Sequence, residues 1–347
     1  MKGFKTCATY PLAGGKEGSS IYEPKSYAAQ LAFMLVSMFC WGSWANTLNL
    51  SPGWPFQLFY WDYVIGILLA SLGWGMALGG GAHIFFSALK AASASHIAWA
   101  IAGGMVFNAA NLLLVAAIGV AGLAVAFPLG IGLALIIGVL LNYFLSPAAN
   151  PSLLFAGVGL VVLALIVDAA AYRRRETGPR HISSAGIALS LLAGVLMGLF
   201  YPLVERALQG ARALGPYSVV PYFAAGVALC SLPANYWLMR RPLPKQEKTC
   251  FAQYFAGKPI WHFWGLLGGG IWCTGAVLNF VSSRGEFVGP AVAYALGQGA
   301  TMISAAWGIF LWREFHGAPA AARRLVPLMF VLFLAGLGAI ALAPVIR

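Results

Sequence analysis

Apolar runs of about 20 residues, separated by short polar or Gly/Pro-rich breaks, recur along the whole chain, and a helix of that length crosses a hydrocarbon core about 30 Å thick. Ten such helices are predicted, near residues 29–48, 58–79, 97–118, 121–145 and 151–171 in a first half and 184–206, 217–238, 260–282, 287–311 and 325–344 in a second. Between the halves, residues 172–183 hold Arg173, Arg174, Arg175, Glu176 and Arg180 and are read as a basic linker. Residues 1–27 carry Lys2, Lys5, Lys16 and Lys25 without an apolar core, so a disordered tail is expected there, neither a secretory signal nor a helix. The predicted fold is an all-α polytopic membrane protein: a tail (1–27), a five-helix unit (28–171), the linker and a second five-helix unit (184–347).

The two halves resemble each other. The fourth run contains Ala124-Val125-Ala126-Phe127-Pro128-Leu129-Gly130-Ile131-Gly132, the ninth Ala291-Val292-Ala293-Tyr294-Ala295-Leu296-Gly297-Gln298-Gly299, and six of nine positions are identical. More weakly, Gly103-Gly104 stands four residues before Asn108 in the third run, and Gly269-Gly270 four residues before Thr274 in the eighth. Five spans per half turn the second half upside down in the membrane, which predicts two inverted five-helix repeats. Carriers use that arrangement to hold a solute near the midplane and expose it alternately at each face. Glycines one turn apart, at Gly75 and Gly79, Gly194 and Gly198, and Gly265 and Gly269, are expected to bring neighbouring helices close.

Composition removes other classes. A chain 61% hydrophobic and 9% charged cannot present a soluble surface. Its net charge of +12 would suggest nucleic acid in a soluble protein, but the basic residues gather in tails and loops, so the bilayer is the expected partner and nucleic acid is not. The five cysteines are far apart, no histidine pairs at metal-ligand spacing, and neither GxSxG nor HExxH occurs. Gly14-Gly15-Lys16 lacks the Ser or Thr of a phosphate loop. No enzyme, cofactor, metal site or disulfide framework is expected.

Polar side chains inside the apolar runs carry the candidate chemistry. Asn108 and Asn111, three residues apart, share a helix face, and an amide facing lipid would leave its donors and acceptors unsatisfied. Both therefore face protein or a wet cavity, and interhelical bonding or solute binding would satisfy them equally. Asn46, Thr274, Asn279 and Gln298 join them, with Trp41, Trp44, Trp272 and Tyr294. Amides beside flat apolar faces suit a polar ring, so substrate binding is assigned to Trp41, Asn46, Asn108, Asn111, Trp272, Thr274, Asn279, Tyr294 and Gln298. Trp54, Tyr60 and Trp312 fit interfacial belts better. Asp62 is the proton-coupling candidate, an alternative being that it reaches the headgroups. Asp168 lies near a helix end, and Glu205 with Arg206, Arg284 with Glu286, and Arg313 with Glu314 are expected to pair or to sit at the interface.

The segments Cys40-Trp41-Gly42-Ser43-Trp44-Ala45-Asn46, Phe59-Tyr60-Trp61-Asp62-Tyr63, Gly103-Gly104 with Asn108 and Asn111, and the Ala-Val-Ala-Phe-Pro stretch together resemble the drug/metabolite transporter superfamily. Within it the chain looks most like the ureide permease-like branch, related to bacterial glucose/ribose and rhamnose porters, over residues 28–345. The resemblance implies ten helices in two inverted repeats, and a cavity lined by the first, third, fourth, sixth, eighth and ninth. It also implies a secondary transporter of a sugar, ureide or nucleobase-like solute working by alternating access, a symporter where protons couple, in a bacterial inner (plasma) membrane. The alternative is a multidrug or metabolite exporter of the same superfamily. Unlike plant ureide permeases, which carry a long central cytosolic loop with a nucleotide-binding-like motif, this chain has a short linker without one. Alternating spans put 9 basic residues on the side of the termini and 12 on the other; the positive-inside rule leans toward external termini, superfamily habit toward internal ones.

Overall fold

The computed structural model describes residues 21–175, 184–243 and 246–346. Among them the fold is all α-helical, and nine helical segments are long and apolar enough to span a membrane. In the first half these are α1 (Tyr27–Ser43) continued by the short α2 (Asn46–Asn49), α3 (Phe56–Leu78), α5 (Ala94–Ala121), α6 (Leu123–Leu145) and α7 (Pro151–Arg175). In the second they are α8 (Ser184–Ala207), α9 (Val219–Arg240), α11 (Pro259–Ser283) and α15 (Leu325–Leu342), the last preceded by α14 (Ala320–Arg323). The run predicted at 287–311 is helical but interrupted. Its parts, α12 (Gly289–Gly297) and α13 (Ala300–Ala306), meet in a tight turn at Gln298 and Gly299, and a π-turn follows over Trp307–Leu311.

Local chemistry sets the helix ends. Ser26 and Ser93 accept hydrogen bonds from the Ala29 and His96 N–H groups and so cap α1 and α5. Pro259 opens α11 at a position whose N–H would be unpaired anyway. Gly122, at φ +81°, separates α5 from α6 in a conformation that a side chain would resist. Two helices were not expected, α4 (Gly81–Ala91) and α10 (Phe251–Phe255); both are too short to span. The basic linker also needs correction, because Tyr172 to Arg175 form the last turn of α7, while residues 176–183 lie outside the described ones. So does the tail: residues 1–20 lie outside the described chain, but Tyr22 is docked, its N–H donating to the Leu78 carbonyl at 2.9 Å and its carbonyl accepting from the Tyr217 phenol at 2.8 Å.

Glycines decide which helices touch. A Cβ on Gly104 of α5 would stand 2.0 Å from the Phe223 carbonyl oxygen and 3.0 Å from the Val227 nitrogen of α9. In return, a Cβ on Gly226 of α9 would stand 2.1 Å from the Ile101 carbonyl oxygen. The same crossing occurs between α11 and α3, where a Cβ on Gly269 would meet the Tyr63 carbonyl oxygen at 2.0 Å and the Ile67 nitrogen at 2.8 Å, and one on Gly66 the Leu266 carbonyl oxygen at 2.2 Å. One step along the sequence relates Ile101 to Leu266 and Gly104 to Gly269; a second relates Tyr63, Gly66 and Ile67 to Phe223, Gly226 and Val227. Gly103-Gly104 thus corresponds to Gly268-Gly269, one residue from the register expected, and Asn108 has Cys273 rather than Thr274 as its counterpart. Between α7 and α15, Gly157 and Gly336 face each other, each approached by the other's carbonyl oxygen.

Candidate functional site

Counting the interrupted α12–α13 run alongside the nine spans, and taking consecutive segments to alternate in direction, α1, α5, α7, α9 and α12–α13 begin at one end of the bundle, here the near face, and α3, α6, α8, α11 and α15 at the far face. A cavity of about 450 Å³ lies between the halves. Its mouth is at the far face, among Leu48 of α2, Phe56 at the start of α3, Ile118 near the end of α5 and Gln246 between α9 and α11. At mid-depth it ends on Trp272, Phe200 and Met197.

The floor is a cluster of packed aromatic rings. Trp272 packs on Phe107 at a centroid distance of 4.5 Å, on Phe223 at 5.8 Å and 11°, and on Trp41 at 6.0 Å and 20°. The Trp41 indole donates its Nε1–H to the Trp272 carbonyl at 3.2 Å. It is clamped between two glycines, since a Cβ on Gly275 or on Gly297 would come within 2.6 Å of the ring. Gly297 ends α12, so the helix interruption both admits this indole and brings Gln298 to the cavity wall.

Four of the nine assigned residues, Trp41, Asn111, Trp272 and Gln298, meet on this one surface. Asn111 donates its Nδ2–H to the Tyr60 phenol at 3.0 Å, and among the described residues no donor reaches its Oδ1. Gln298 uses neither end of its amide within the described protein. The cavity therefore offers amide donors and acceptors beside flat apolar faces, the complement of a polar ring.

The other five stand elsewhere. Asn108 is fully buried and accepts from the Tyr60 phenol at 2.7 Å. Asn279 is fully buried too, accepting from the Tyr201 phenol at 2.6 Å and donating to the Ala293 carbonyl at 3.1 Å. The Tyr294 phenol donates to the Ala134 and Met197 carbonyls, both at 3.1 Å, joining α12 to α6 and α8. Thr274 accepts from the Trp74 indole at 2.9 Å on the α3–α11 contact. Asn46 lines a smaller chamber beside the main cavity. Helical spacing gave the shared face of Asn108 and Asn111 but not their depth, and one turn separates an interhelical bond from a cavity wall. Asn108→Ala is expected to cost about 1–2 kcal/mol of stability by leaving the buried Tyr60 hydroxyl without an acceptor, whereas Asn111→Ala is expected to melt near wild type; thermal denaturation of the purified variants checks both.

Asp62 lies outside the cavity, 2% exposed, where α3 meets α11. Its Oδ1 accepts from the Tyr254 phenol of α10 at 2.6 Å, and both carboxylate oxygens stand 3.0 Å from His262 Nδ1. Burial, then the hydrogen bond to Asp62, raises the Tyr254 phenol well above its ordinary value, so it acts as a neutral donor. A Cβ on Gly265 would stand 2.4 Å from the Asp62 Cβ, so that glycine makes room for the carboxylate. Neither His262 nor Tyr254 was anticipated from sequence; only folding brings them to Asp62.

The architecture is that of an integral multi-pass membrane protein with a cavity between its two halves. Over most of its length the chain is similar to ureide permeases: it is 23% identical over 382 aligned residues to Ureide permease 1 of Arabidopsis thaliana, covering 90% of this chain and 96% of that one. It is likewise 23% identical to Ureide permease 2 of the same plant over 397 aligned residues, covering 92% and 98%. A solved crystal structure superposes with a TM-score of 0.63 at 16% identity over 90% of this chain and 96% of that one, a likeness of fold alone. No protein-family profile matches the chain. Permeases are transporters, not enzymes. Being plant proteins, these relatives lend no support to the bacterial inner membrane expected from sequence.

Proposed function

We propose that this protein is a secondary carrier of a small polar ring solute of the ureide or nucleobase-like kind, working by alternating access through two inverted five-helix repeats. The repeat reading is supported by the doubled glycine crossing, since α3 and α5 run opposite to their counterparts α9 and α11. The solute reading rests on one observation, that Asn111 and Gln298 present free amide atoms over the Trp41–Trp272 stack at an interrupted helix, the kind of site transporters build near the midplane. The conformer is open at the far face, whose loops hold the 12 basic residues; under the positive-inside rule that mouth is cytoplasmic and the termini are external.

Binding of allantoin (a cyclic ureide), uracil and ribose to the protein in lipid nanodiscs tests this. A ureide or nucleobase is expected to bind, and Asn111→Ala and Gln298→Ala each to weaken it at least about tenfold, or about 1.4 kcal/mol. Binding of lipophilic cations in place of all three, unaffected by either variant, would favour the exporter of the same superfamily, to which the largely apolar cavity wall also lends itself.

A further inference from the structure

Beside the main cavity lies a second chamber of about 160 Å³, sharing with it the walls Ala45, Phe127, Thr301 and Ser304. Two carboxylates line it, and they are held very differently. Glu314 is compensated: the Tyr172 phenol donates to its Oε2 at 2.7 Å, and Arg175 Nη1 pairs with the same oxygen at 3.2 Å. Asp168 is only 8% exposed, its Oδ1 is buried without a partner, and among the described residues no donor reaches its carboxyl group.

The surroundings confirm a single uncompensated negative charge when Asp168 is ionised. From its own helix α7 it shares the chamber with Tyr172, engaged with Glu314, and from the segment after the π-turn with Glu314 itself, whose charge Arg175 pairs from the last turn of α7. Arg323 of α14 is exposed, α2, α13 and α15 carry no ionisable side chain, and the Tyr143 of α6 belongs to the opposite end of that helix. The π-turn over Trp307–Leu311 shapes the chamber. It places Gly308 where a Cβ would stand 3.0 Å from the Tyr172 hydroxyl and 3.1 Å from the Glu314 carboxylate. Such turns recur at functional sites, and a buried intramembrane carboxylate marks an ion or proton path.

We propose that this chamber is a monovalent-cation site with Asp168 as its ligand, filled by a proton or a sodium ion. One positive charge cancels the one that nothing else cancels. Because Thr301 and Ser304 line both spaces, an occupant of the chamber and a solute in the cavity share a wall. The link to a solute rests on the carrier reading above, while the cation site does not.

Thermal melting of the purified full-length protein in nanodiscs tests the site, in sodium chloride against choline chloride at equal concentration, at acid and at alkaline pH. If the occupant is sodium, wild type at alkaline pH melts several degrees higher in sodium than in choline. If it is a proton, wild type in choline melts several degrees lower at alkaline than at acid pH, and sodium adds nothing. In both cases Asp168→Asn, neutral throughout, loses that response. Asp62 and Glu205 are also buried acids, so the diagnostic quantity is the part of the response that the substitution removes; Asp168→Ser serves if the Asn variant does not fold. A variant that responds as wild type does, or a wild type indifferent to both ions, overturns the proposal. The readout contains no solute, so that failure leaves the carrier reading standing, and absent solute binding would leave this site standing.

Discussion

Gly104→Val and Gly269→Val are each expected to abolish recovery of folded protein, while Gly270→Val is expected to be silent. The first two glycines sit where helix backbones touch: a Cβ there would lie 2.0 Å from a carbonyl oxygen of the facing helix. The obstacle is backbone, so no side chain can rotate away and the helices must separate. Overpacking ordinarily costs about 1–3 kcal/mol, and parting two long helices at their tightest point is expected to exceed that range. Gly270 is their neighbour, yet a Cβ on it would meet nothing within 4 Å. Size-exclusion chromatography of detergent extracts, measured as the monodisperse fraction, separates the three. Equal tolerance at Gly104 and Gly269 would remove the close crossings from the account of what holds the bundle together.

Much of this architecture was legible in the sequence because the bilayer imposes a length, and length can be read without knowing contacts. Nine of the ten predicted spans reappear within a few residues. The ninth run shows the limit: its apolar length was evident, but the tight turn at Gln298-Gly299 and the π-turn after it are departures in hydrogen bonding that hydropathy does not register. The doubled Gly-Gly pair was found, yet one residue out of register, since adjacent glycines look alike in sequence and only the facing backbone tells Gly269 from Gly270.

The site was less legible, for a related reason. Amides in apolar helices announce that they need partners, not which partners they find. Trp41, Asn111, Trp272 and Gln298 met on the cavity, but Asn108, Asn279 and Tyr294 spend their polar atoms on other helices. Asp168 looked like a helix-end acid because its position in α7 says nothing of Glu314, which arrives from 146 residues later in the chain. Their proximity is tertiary.

Asp62→Ala is expected to destabilise the protein by about 2–4 kcal/mol, because it strips the acceptor from two part-buried donors at once, the Tyr254 phenol and the ring N–H of His262, at about 1–2 kcal/mol for each, the lower part of the range for a donor left unpaired. Asp62→Asn is the gentler change: its amide oxygen can still accept from one donor, while its NH2 opposes the other, so roughly half that loss is expected. This separates the two roles open to Asp62. As an anchor between α3, α10 and α11, it governs melting, and the folded Asn variant still concentrates solute under an imposed pH gradient. As the coupling carboxylate, it would leave melting nearly untouched while pH-driven accumulation vanished and counterflow of labelled solute persisted. Its position favours the first role, since the carboxylate is enclosed by its partners and lines neither chamber. Measuring melting, accumulation and counterflow on the same Asn variant decides between them, and a stable, uncoupled variant would return the coupling function to Asp62.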